Sequence, residues 1–180
     1  SDDCSTNPET RKIIKEYAEL DLRIKFVFRE KSGHISAASN SAIEIATGEY
    51  LAFLDHDDEL TPDAIYMVAR EINQYPDAKL IYSDEDKKTS YGMRVNPHFK
   101  SDWNPELLLH QNYICHFLVI KKDLVSRVGS LRSEFDGAQD WDLILRVCEN
   151  IDPSQIRHIP HILYHWTIIQ SSTAQSTSAK

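Results

Sequence analysis

The chain is poor in cysteine, has no long apolar run and carries no excess of positive charge, and each absence removes a class of protein. Its three cysteines (Cys4, Cys115, Cys148) are odd in number and scattered without metal-ligand spacing. They read as the reduced thiols of a cytosolic protein rather than as a disulfide framework. No apolar stretch approaches the roughly 20 residues of a membrane-spanning helix, and no signal-peptide pattern opens the sequence. Lysine and arginine number 20 against 28 acidic residues, for a net charge of −8. With no basic stripe to offset that charge, nucleic acid is not the main partner. A phosphate-bearing ligand must therefore be met by a metal ion or by a few local cations. No internal repeat is visible. The 180 residues, with an ordinary apolar fraction, suit one domain with a sizeable core.

The order of elements predicts an α/β domain with a mostly parallel sheet and helices on both faces. Leu22 to Phe28 alternates like a strand. Residues 34–47 place Ile35, Ala38, Ala42, Ile45 and Ala46 on one helical face, ended by Gly48. After the strand Tyr50 to Leu54, Thr61-Pro62 reads as an N-cap with proline at the first helical position. Ala64, Ile65, Val68, Ala69 and Ile72 carry that helix to Tyr75-Pro76. Lys79 to Ser83 is a strand ending in Asp84-Glu85-Asp86. From Tyr91 to Asn112 the pattern loosens into a substrate-facing loop region, and a strand follows at His116 to Lys121. A helix spans Asp140 to Asn150, and Arg157 to Trp166 forms a last strand. The Ser/Thr-rich residues 171–180 are expected to be disordered.

One stretch carries more chemistry than the others. The strand ending at Leu54 runs straight into Asp55-His56-Asp57-Asp58. Ligands of open α/β sheets bind at the carboxyl ends of strands, and clustered carboxylates call for a cation. Mg²⁺ in particular takes one or two carboxylates plus substrate oxygens. A solvated acidic turn would show the same residues.

Four further features coincide with that turn: Asp2-Asp3 near the start, Ala38-Ser39-Asn40 before Gly48-Glu49-Tyr50, Gln139-Asp140-Trp141-Asp142, and Leu163-Tyr164-His165-Trp166 with Ser172-Thr173-Ala174. In this order the chain resembles the family 2 glycosyltransferases of GT-A (Rossmann-like) fold. The bacterial enzymes of O-antigen and surface-polysaccharide synthesis, including rhamnosyltransferase-like members, are the nearest. The resemblance implies a glycosyltransferase domain over residues 1–170, N-terminally truncated because the family's first strand would precede Asp2. It implies inverting, metal-dependent transfer from a nucleotide-diphosphate sugar to a saccharide or lipid-linked acceptor. The place of action would be the cytoplasm, with peripheral association at the inner face of the membrane.

Residue by residue, Asp2, Asp3 and Asp55 match nucleotide-contacting positions. Asn7 stands where the family commonly has Asp, though it could equally cap the next helix. Asp55 and Asp57 match the Asp-x-Asp motif for Mn²⁺ or Mg²⁺. His165 matches a C-terminal histidine of the metal shell, with His161 as its competitor. Asp140 matches the general base, where a plain helix-capping role competes. Trp103, His110, Gln111, Asn112 and Trp141 fall in the acceptor region. The run Asp84-Glu85-Asp86-Lys87 could support the acidic cluster from behind or be a solvated strand end. Ser39, Gln139 and Thr167 depart from the usual Arg, Glu and Arg. No Gln-x-x-Arg-Trp motif is present, which argues against a processive polymerase. Two rivals stand beside this assignment: a catalytically incompetent scaffold module, and a haloacid-dehalogenase-type phosphatase, in which Asp-x-Asp would act as nucleophile and acid.

Overall fold

The structure, a computed structural model, describes residues 1–168. Residues 171–180 and the Ser172-Thr173-Ala174 match lie outside the described residues. Helix α1 (Pro8–Leu20) starts at Asn7, whose side chain accepts from the Glu9 N–H at 3.0 Å, with proline at its first position. Asn7 thus does the work of a cap. Helix α2 spans His34–Ile45. Strand β1 (Tyr50–Phe53) leads into the acidic turn and the short β2 (Glu59–Leu60). Helix α3 (Ala64–Gln74) begins two residues later than the Thr61-Pro62 pattern predicts, because Thr61 accepts the Ala64 N–H through its carbonyl and its hydroxyl makes no cap.

Strand β3 (Leu80–Lys88) is central and long. It continues through the acids expected to end it, since Asp84, Glu85 and Asp86 each find partners beside the sheet. A turn at Thr89–Met93, with Gly92 at φ +80°, reverses the chain into β4 (Arg94–His98). The segment expected to be loop therefore contains a strand and also helix α4 (Pro105–His110). Strand β5 (Leu118–Lys121), α5 (Lys122–Arg127), α6 (Gln139–Cys148) and β6 (Ile156–Thr167) complete the fold.

Among the described residues the sheet order is β1-β5-β3-β6-β2, with β4 also on β3. Strands β1, β3 and β6 point the same way, but β5 lies antiparallel between β1 and β3. The sheet is more mixed than strand–helix alternation implies. A hairpin turn, not a helical crossover, leads out of β3, and β4 and β5 both keep that reversed direction along it.

Side chains alternate across the sheet. Leu80, Tyr82, Leu118 and Ile120 pack with Ile43, Leu108, Leu124, Leu143, Ile144 and Val147 on one face. Ile81, Phe117 and Val119 pack under Ala64, Met67 and Val68 of α3 on the other. Helices cover both faces, as expected.

The expected strand Leu22 to Phe28 does not form. Its alternation supplies propensity, but a ladder needs a neighbour, and a single bridge between Asp2 and Phe28 is the one pairing it makes among the described residues. Leu22 accordingly stands 91% exposed.

Candidate active site

The carboxylates divide sharply by their partners. Asp2 is buried and accepts from Arg11 Nε at 3.0 Å and from the Ser5 N–H at 3.2 Å. Bonds from Ser5 and Arg11 hold it below the usual carboxylate range against the opposing effect of burial. Asp3 accepts from Ser32, Arg29, Gly33 N–H and His34 N–H at 2.8–3.0 Å, which caps α2 from outside the helix and keeps the carboxyl ionised. Two of the three residues expected to touch the nucleotide, Asp2 and Asp3, thus have internal work near the N-terminus.

Asp55 and Asp57 differ. They sit in the turn closed by the Asp58 N–H on the Asp55 carbonyl, and among the described residues neither has a lysine or arginine within ion-pair distance. Histidines are their neighbours: His116 Nε2 lies 3.7 Å from Asp55, and the exposed His56 lies 3.9 Å from Asp57. The turn is held from beneath by Tyr164. Its hydroxyl donates to Asp58 at 2.5 Å and accepts the Asp55 N–H at 3.3 Å, while the Thr167 N–H donates to Asp58 at 2.7 Å. Burial raises the Asp58 carboxyl above its ordinary value in spite of those bonds. Two accessible carboxylates on a fixed turn, with no lysine or arginine partner among the described residues, suit a divalent ion that keeps water and substrate oxygens in its shell.

His165 is not brought to them. Alternation along β6 sends Tyr164 toward the acidic turn and His165 to the opposite face, where its Nδ1 pairs with Asp86 at 2.5 Å. Asp86 also accepts from Arg94 Nε at 2.6 Å. Among the described residues no three His, Cys, Asp or Glu side chains gather as a metal cluster. His161, the competitor, is exposed on β6.

Asp140 lies in the first turn of α6, but the cap position is Ala138. The Asp140 carboxylate instead accepts from Asn112 Nδ2 at 2.8 Å, and the Cys115 thiol lies against it. Burial first, then Asp140, push that thiol well above its ordinary value, so it is a neutral neighbour. Asn112 Oδ1 is buried without a partner. Of the remaining acceptor-region residues, Trp141 spends its indole N–H on the Leu108 carbonyl at 2.8 Å, tying α6 to α4. Trp103 packs half-buried against the core, His110 bonds the Glu106 carbonyl within α4, and Gln111 is exposed.

Sequence reasoning missed His116, Tyr164 and Lys100 as parts of this site, whereas Glu85 lies in the run read as able to support the acidic cluster. The parity of β6 could have singled out Tyr164 over His165. Nothing local marks Lys100.

A mixed α/β sheet with helices on both faces is the fold of the GT-A glycosyltransferases. The chain belongs to glycosyl transferase family 2, whose family model matches residues 1–129. That membership removes the phosphatase alternative. It is 51% identical over 180 residues to the uncharacterized protein y4gI of Sinorhizobium fredii, covering all of this chain and 20% of that protein. It is 40% identical over 164 residues to the O-antigen biosynthesis protein RfbC of Myxococcus xanthus, covering 91% of this chain and 13% of that protein. The chain therefore spans a fifth or less of these curated relatives. Among solved structures, S. aureus TarS 1–349 superposes with a TM-score of 0.73 at 19% identity, over 92% of this chain and 49% of that one. The mannosyltransferase PcManGT of Pyrobaculum calidifontis, in complex with GDP-Man and Mn²⁺, superposes with a TM-score of 0.66 at 14% identity, over 94% and 47%. These likenesses establish the fold. No helix among the described residues is long and apolar enough to cross a membrane.

Proposed function

We propose that this domain catalyses inverting, metal-dependent transfer of a sugar from a nucleotide-diphosphate donor to a saccharide or lipid-linked acceptor in O-antigen- or lipopolysaccharide-type surface-polysaccharide synthesis. It would act in the cytoplasm at the inner face of the membrane. The observation that carries the proposal is the division of the carboxylates: among the described residues Asp55, Asp57 and Asp140 have no lysine or arginine partner, while Asp2, Asp3, Glu85, Asp86 and Asp142 are neutralised internally. The name of the Myxococcus relative supports the polysaccharide class, and the ligands of PcManGT support the donor class and the metal.

Asp55 and Asp57 would hold Mn²⁺ or Mg²⁺, which when bound neutralises charge on the departing diphosphate. Tyr164 and Thr167 keep the turn that carries them in place through Asp58. Asp140, its Oδ2 held by Asn112, leaves its other oxygen to take the proton of the acceptor hydroxyl. As that proton leaves, the hydroxyl oxygen bonds to the anomeric carbon from the face opposite the diphosphate, the carbon–oxygen bond to the diphosphate breaks, and the configuration inverts. Asp2 and Asp3 serve by holding the N-terminal segment to α1 and α2, since their carboxylates are already engaged. His165, tied to Asp86, is not assigned to the metal.

The test is Asp140→Asn. It is expected to abolish transfer while leaving nucleoside diphosphate affinity within about twofold of wild type. A variant that turns over normally removes Asp140 from the mechanism. Nucleotide binding without transfer by the wild-type protein would favour the scaffold alternative.

A further inference from the structure

Lys100 is a buried lysine that the mechanism above does not use. Its side chain is fully buried, and that burial lowers its affinity for a proton. A buried ammonium is tolerated only when its donors are met. Here they face the Ile114 carbonyl at 3.1 Å, the His116 carbonyl, and Glu85 Oε2 at 3.6 Å. Glu85 in turn accepts the His116 backbone N–H and lies 3.2 Å from His116 Nδ1. Despite burial, which acts to raise it, His116 and Lys100 hold Glu85 down at about 2. Lys100 is itself fixed from the backbone side, where its N–H donates to Asp84 at 2.8 Å and Asp84 pairs with His158 at 2.9 Å.

Stability alone gives such a pair little purpose, because well-packed apolar residues of similar volume often serve as well. Its position suggests another purpose. The backbone it grips, residues 114–116, belongs to the loop between α4 and β5. One end of that loop sets Asn112 and Cys115 against Asp140, and the other sets the His116 ring between Glu85 and Asp55, stacked on Tyr164 at 4.8 Å. The loop thus touches both the base and the acidic turn.

We infer that Lys100 and Glu85 are positioning residues, a buried clamp that fixes the 112–117 loop so that Asn112 aligns Asp140 and His116 braces Asp55. The inference rests on the transferase proposal only for the role of Asp140. Its geometric part is tested without turnover, from the Asn112 side-chain amide signal in nitrogen-15 NMR of the full-length protein, assigned by its loss in Asn112→Ala. In Lys100→Met, which fills similar space without charge, that signal is expected to move to the position it takes in Asp140→Ala. A signal unmoved in both Lys100→Met and Glu85→Gln overturns the inference. If Lys100→Met fails to fold, Glu85→Gln, which retains an acceptor for the His116 N–H, carries the test.

The kinetic part follows diphosphate release from a panel of UDP-, dTDP- and GDP-sugars with Mn²⁺ and water as acceptor. Misplacement of the base on the order of 1 Å costs about 10²-fold, so kcat in Lys100→Met is expected to fall by about ten- to a hundredfold. In the Asn112→Ala background the same substitution should cost kcat less than about twofold, because the alignment it supports is already gone. Equal losses in both backgrounds contradict the clamp. Failure of the transferase proposal looks different: release indifferent to Asp140→Asn, with the NMR result unchanged.

Discussion

Replacing Tyr164 with phenylalanine removes one oxygen from a side chain that is completely buried. The ring keeps its stacking on His116 and its contact with Phe117, so no cavity larger than a hydroxyl is left. What is lost is the bond to Asp58 at 2.5 Å and the acceptor for the Asp55 N–H at 3.3 Å. A hydrogen bond to a charged group is worth about 1.5–3 kcal/mol. At roughly 2–4 °C per kcal/mol for a domain of this size, Tm should fall by about 3–12 °C.

The pH dependence has a definite sign. Burial raises the Asp58 carboxyl in the folded protein above its unfolded value of 3.8. Its contribution is therefore fully present below that unfolded value and is lost as pH rises through the folded one. Loss of the Tyr164 bond disfavours the ionised form further. The deficit of Tyr164→Phe should thus shrink as pH falls and Asp58 takes up its proton, and grow toward pH 8. Thermal unfolding of both proteins across that range is the assay. An unchanged Tm, or a deficit greatest in acid, would refute Tyr164 as the support of the acidic turn.

Two other substitutions separate the site from the scaffold. Asp57→Asn is expected to weaken Mn²⁺-dependent nucleoside diphosphate binding at least about tenfold without changing Tm by more than a degree or two, measured by calorimetry; unchanged Mn²⁺ dependence counts against the assignment. Asp142→Ala strips a buried carboxylate from Arg132 and from Arg146, which is 2.6 Å away and also bonds the Val128 and Ser130 carbonyls. Breaking a buried pair costs about 3–5 kcal/mol. Arg132 is part-exposed, so urea denaturation should report about 3 kcal/mol, and a loss below about 1 kcal/mol would contradict the packing described for α6.

The helices α2, α3 and α6 and the strands around Tyr50, Leu80 and Arg157 were legible from their periodicity, although Ile35 of α2 and Ile65 of α3, both on the expected apolar faces, lie exposed. Leu22 to Phe28 was not, since alternation states what a strand could pack and not whether a neighbour is there to pair. Strand β3 ran past Ser83 for the converse reason: its acids are met by His158 far along the chain and by Lys100 and Arg94 beyond the turn that follows the strand. The acidic turn was legible because its residues are contiguous and abrupt. The side chains that hold it were not, because Tyr164, His116 and Lys100 reach the site only once the sheet order brings β6 and the 112–117 loop beside β1 and β3. The antiparallel entry of β5 depends on a hairpin turn inside a segment whose prolines and glycine read as loop. Asp140 was legible by family resemblance alone. Its local sequence suggested a cap, and the Asn112 bond that separates the two roles spans 28 residues.

The most direct measurement of the central claim is calorimetric titration of the protein with UDP, dTDP, GDP and CMP, each with and without Mn²⁺. Binding of one nucleoside diphosphate only when Mn²⁺ is present, and its loss in Asp57→Asn, is the predicted result. Binding of none of them, or binding indifferent to the metal, would contradict the assignment of Asp55 and Asp57 to a donor diphosphate.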